Sequence, residues 1–214
     1  MASRKVGVLL TALALTASVA TTAFAATVPG AVYSEGRGSS LPVSKVAENL
    51  TKAGITDIKA DHFAAGPISV IVEAGLIQPD TQGNIKPDAP IPADSGIAVF
   101  AKVLGVASKT DDPATAAKKA QEAGIASSNV DTSKPLSRLE TARMLAKALG
   151  IEPKVTTELP FKDAGSLSAE DRGILAALKD LGIFKGFPDG TFGVDGVLTT
   201  AQLAILVDRI LGAQ

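Results

Sequence analysis

The sequence predicts an all-α fold built from three helix–turn–helix units, and three observations predict it. Three apolar phrases close on glycine: Ala74-Gly75-Leu76, Ala123-Gly124-Ile125 and Leu181-Gly182-Ile183. A second apolar segment follows each of them and ends on Leu-Gly, at Leu104-Gly105, Leu149-Gly150 and Leu211-Gly212. The two glycines lie 30, 26 and 30 residues apart in the three units. Within both kinds of segment the apolar residues recur at helical spacing, and a glycine after such a run is the expected left-handed stop.

Taken in order, residues 1–25 read as a secretory signal peptide. Arg4 and Lys5 precede an uncharged run centred on Leu9, Leu10, Leu13 and Leu15, and Ala23-Phe24-Ala25 is a small-x-small cleavage pattern. An uncleaved membrane anchor is the rival reading of that stretch; with cleavage, no membrane span is expected. Residues 26–42 read as a flexible lead-in rich in Gly, Ser and Pro. An extra helix is expected from Val43 to Ala53, and with the first unit it makes a domain over 43–105.

In unit one the first helix carries Ile68, Ile71, Val72 and Leu76 on one face and is expected to start at or near Pro67. Its second helix has the stripe Ile97, Phe100, Ala101 and Leu104. Unit two spans 106–150. Its first helix, Ala114 to Ala123, is helical by propensity with a weak stripe, and its second carries Leu139, Ala142, Leu145, Ala146 and Leu149. Unit three spans 151–214, with Ile174, Leu175, Leu178 and Leu181, then Leu203, Leu206, Val207, Ile210 and Leu211. Ser137 with Glu140, and Thr199 with Gln202, have capping-box spacing at the start of two second helices.

The turns between helices differ. Unit three reads Gly186-Phe187-Pro188-Asp189-Gly190-Thr191-Phe192, with a Pro-Asp-Gly turn signal. Unit one reads Pro79 to Ile85, and Gly83, Ile85 and Asp88 match Gly190, Phe192 and Asp195. Unit two is four residues shorter and lacks this turn.

Composition narrows the chemistry. With no Cys and one His, disulfides, thiolate nucleophiles and multi-histidine zinc sites are excluded. The acidic residues lack the dense spacing of a calcium loop, so no metal and no cofactor is expected. A net charge of −1 and 4% aromatic residues argue against a nucleic-acid groove. No nucleophile elbow, phosphate loop or nucleotide fingerprint occurs, so no enzyme is expected.

The chain resembles the S-layer homology domain of bacterial surface proteins over roughly residues 43–214. The likeness rests on Asp57 with Asp61-His62-Phe63-Ala64 in unit one, and on Ser137-Arg138-Leu139-Glu140 in unit two. In unit three it rests on Phe161-Lys162-Asp163 and the Gly186 to Phe192 turn. The resemblance implies a three-pronged pseudo-trimer around a central helical bundle, with ligand grooves between prongs. It also implies a secreted, non-catalytic protein at the bacterial cell wall that binds wall polysaccharide or peptidoglycan. The alternative is a degenerate scaffold that binds another surface-layer protein or itself.

The resemblance singles out Arg138, Glu140, His62, Phe63 and Gly190 as glycan-binding candidates, and each also has a structural reading. A cation at a helix N-terminus opposes the macrodipole, so Arg138 suggests an anionic partner; pairing with Glu140 or another acid is the plainer account. Ala93 and Thr200 occupy the same place in the other units. His62 and Phe63 read either as a packed helix start or as a groove wall stacking on a sugar. Asp189-Gly190 reads as turn chemistry or as a place where ligand approaches the backbone.

Overall fold

The computed structural model describes residues 38–212. The signal-peptide reading and most of the lead-in lie outside the described residues. Seven α-helices follow in order: α1 Val43–Lys52, α2 Ala65–Glu73, α3 Ala93–Val103, α4 Pro113–Glu122, α5 Arg138–Ala148, α6 Ala169–Asp180 and α7 Thr200–Gly212. Short 3-10 turns form at Gly38–Ser40 and Ala164–Ser166. The described residues hold isolated bridges and no strand, so the fold is all-α.

The helices form where periodicity places them, and most ends follow local chemistry. Asp112 caps α4, accepting from the Thr115 N–H at 3.0 Å, with Pro113 in the first turn. Ser168 caps α6 through the Asp171 N–H at 3.0 Å. The box at Ser137 is complete: Ser137 Oγ accepts from Glu140 N at 3.1 Å, and Glu140 Oε2 accepts from Ser137 N at 3.3 Å. The box expected at Thr199 is half formed. Thr199 Oγ1 accepts from Gln202 N at 3.3 Å, but Gln202 Oε1 accepts from Arg138 instead. Helix α2 starts two residues before Pro67, which sits within the first turn, where a missing N–H costs nothing.

Packing runs between units. Helix α4 lies on α3, α6 lies on α5, and α2 lies on α7. Each first helix therefore packs on the second helix of the unit before it, and unit one takes unit three as its predecessor. The backbone repeats this order just before α3, α5 and α7. Leu136 N donates to Ile91 O at 3.0 Å, Leu198 N to Leu136 O at 2.7 Å, and Ile91 N to Leu198 O at 2.9 Å. Ile91, Leu136 and Leu198 are buried around this closed ring, and the core spreads from it through Ile97, Phe100, Leu145 and Leu203.

The end of the lead-in is part of the folded body. Ser39 Oγ donates to Asp208 Oδ2 at 2.6 Å and satisfies a buried carboxylate on α7. Gly38 lies against Gly66 of α2 so closely that a Cβ on Gly66 would stand 2.0 Å from the Gly38 carbonyl oxygen. Glycine is required there by contact with backbone.

Candidate functional site

Asp163 organises the turn of unit three. Its Oδ1 accepts from Phe192 N at 2.7 Å, and its Oδ2 from Gly193 N at 2.7 Å and Val194 N at 3.1 Å. Burial alone would raise its pKa, but these backbone donors outweigh it and hold the carboxyl below its ordinary value. Asp57 organises the turn of unit one, accepting from Ile85 N at 2.9 Å and Lys86 N at 2.7 Å. The aspartate that opens each of these units is thus the clamp of its own turn.

Arg138 is buried. Its Nε donates to Phe192 O at 2.9 Å, and its Nη1 to Gln202 Oε1 at 2.9 Å. The guanidinium lies 4.6 Å from the centre of the Phe187 ring, 5.0 Å from Phe192 and 5.6 Å from Phe184. Burial lowers its pKa to about 10, still far above neutrality. The plainer account, a pair with Glu140, is not what forms: Glu140 serves the capping box, and Arg138 is a cation from unit two set against the turn of unit three. The equivalent Thr200 lacks the reach to do this.

The other candidates lie apart from it. Gly190 has φ 85° at the turn, and Lys162 covers it, donating from Nζ to Asp189 O at 2.7 Å. His62 is half-buried, and its Nδ1 accepts from Ala64 N at 3.2 Å, so it is part of the helix entry. Phe63 stacks on it at 4.3 Å between ring centres, yet stands 70% exposed. Glu140 serves the capping box and also faces an open groove.

That groove holds about 630 Å³. One wall is the end of α4 with residues 124–130; the other is the face of α5 bearing Glu140, Arg143, Met144 and Lys147. Its presence follows from the shortened turn. In unit three the buried rings of Phe184 and Phe192 pack together at 5.1 Å. Unit two has Ala126 where unit three has Phe184, and its connection is four residues shorter, with Val130 standing six residues before Leu136 as Phe192 stands six before Leu198. Space that is core in unit three is open in unit two.

The groove wall is charged. Arg143 grips Asp171 of α6 in a bidentate pair, Nε to Oδ1 at 2.7 Å and Nη2 to Oδ2 at 2.8 Å. The bond to Arg143 holds the Asp171 carboxyl below its usual pKa. Lys147 is exposed one turn further along. Sequence reasoning did not single out Arg143 or Lys147, although Glu140, Arg143 and Lys147 share the spacing of one helix face. Among the described residues no group of three or more His, Asp or Glu side chains is placed to hold a metal ion, and no helix is long and apolar enough to cross a membrane.

Two segments of the chain, residues 54–91 and 160–204, match the family model of the S-layer homology domain. They contain the two clamped turns and the two aspartates that clamp them. Unit two falls between the matched segments. Comparison with curated proteins and with solved structures gives no match.

Proposed function

We propose that this chain, an S-layer homology domain protein over residues 54–91 and 160–204, is exported and holds to the bacterial cell wall by binding a wall polymer in the groove of unit two. Domains of this family serve in attachment to the cell wall or surface, and the family is one of binding modules. The observation that carries the finer reading is the groove itself: a concave site with polar side chains along its rim. The cyclic packing of the units supports a pseudo-three-fold body with the boundaries 43–105, 106–150 and 151–214. Within it, units one and three keep closed turns, and unit two is the open one.

Of the residues first singled out, Glu140 belongs to this proposed site directly, while Arg138 supports it by holding α5 against unit three. Phe63, exposed beside His62, is a candidate second contact with a wall sugar. Gly190 lets the turn carry Lys162 over it. Co-sedimentation with purified wall sacculi tests the proposal. The full chain is expected to pellet with sacculi, and Lys147→Glu, a change on an exposed side chain, is expected to stay in solution. Equal recovery of both proteins in the supernatant contradicts it.

The second reading, a scaffold for another surface protein or a second copy, is favoured by the exposed Phe63 and by Val155, whose side chain is fully exposed. Concentration-dependent mass in the absence of wall material, lost in Phe63→Ser, supports it.

A further inference from the structure

We infer that the groove of unit two receives a short acidic peptide with aliphatic side chains, of the kind carried by wall stems and cross-bridges, and not a sugar ring. The inference rests on the wall-binding reading and names the part of the wall that is read. Ile97, Ile125, Val130, Leu136 and Met144 supply the groove's apolar lining. These side chains are aliphatic, and no aromatic ring lines the groove. The flat stacking surface that suits a pyranose is therefore missing. The rings that would supply it are committed elsewhere, since Phe184 and Phe192 are core and Phe187 covers Arg138. An aliphatic lining instead matches alanyl and similar side chains, whose methyl groups gain by leaving water.

The charges point the same way. Arg143 spends Nε and Nη2 on Asp171, so its Nη1 edge is left for a ligand. Lys147 makes no ion pair among the described residues, and its Nζ lies near the mouth, 3.6 Å from where a Cβ on Gly124 would stand. Glu140 offsets one of these charges and is tied to the Ser137 N–H. Asp171 offsets Arg143 as Glu140 offsets Lys147, so the wall is neutral in sum, and Lys147, exposed at the mouth, is the cation that a ligand carboxylate would meet. Ser127, Ser128 and Asn129 add donors and acceptors along the opposite wall, suited to the amide groups of a peptide lying lengthwise.

The test uses the full chain and three sacculus preparations: intact, extracted with acid to remove secondary polymers, and treated with an amidase that strips stem peptides from the glycan strands. Binding is expected to intact and acid-extracted sacculi and to fall at least tenfold on amidase-treated material. Soluble stem peptide is expected to compete, and in solution to bind Lys147→Glu about tenfold more weakly than the parent chain. Undiminished binding to amidase-treated sacculi overturns the peptide inference and leaves the wall-binding reading standing. So does loss of binding on acid extraction alone, or failure of the soluble peptide to compete. Absence of binding to intact sacculi overturns the wall-binding reading itself.

Discussion

Arg138 shows how one side chain divides between fold and function. Its guanidinium has two hydrogen bonds to neutral acceptors and three rings around it. Lysine cannot make both bonds from one ammonium and would lose the planar stack. Arg138→Lys is expected to cost about 2 kcal/mol, seen as a lower Tm by circular dichroism. An Arg138 that served only a ligand would leave Tm unchanged. Lys86 is the opposite case. It has φ 51° where the matching residue of unit three is Gly193, and its exposed pair with Asp80 adds little. Lys86→Gly is expected to stabilise the chain by about 0.5 kcal/mol, read as a higher urea midpoint at unchanged slope.

Among the elements, α5 and α6 carry the seam between units two and three. The carboxyl of Asp171 has its pKa depressed in the folded state by Arg143. Its contribution is therefore present above the unfolded value, about 3.9, and is lost as pH falls through the lower folded value. Asp171→Asn is expected to destabilise at pH 7 by about 1–2 kcal/mol, discounted because Arg143 is half exposed, and to flatten the loss of stability below pH 4. Urea midpoints at pH 7 and pH 3 measure both effects.

The helices were legible in the sequence because 3.6-residue periodicity and terminal glycines are local. The Ser137 box was legible because both its members lie within one turn. The diverted Gln202 was not, because its competitor Arg138 lies 64 residues away. Nor was the groove, because it consists of what unit two lacks, and a deletion leaves no motif. The sequence did mark the place, through a turn four residues short.

At the scale of the molecule the chain is closed on itself. Unit one's first helix rests on unit three's last, and Gly38–Ser40 is tied to the same seam through Ser39 and Asp208. Gly66→Ala would push a methyl into the Gly38 backbone. It is expected to release the Gly38–Ser40 turn and expose residues before α1 to limited proteolysis, with α2 to α7 still resistant. Closure also explains how one unit can be open while the body stays folded. Its neighbours hold α3, α4 and α5 in place, so the core lost with the turn of unit two is not needed to define the groove.

With the opening in unit two as the binding site, a side chain that fills it removes binding. Ala126→Phe places in unit two the ring that unit three carries as Phe184. This variant is expected to keep a cooperative melt within a few degrees of the parent and no longer to pellet with intact wall sacculi. A variant that stays folded and pellets as well as the parent would contradict that site.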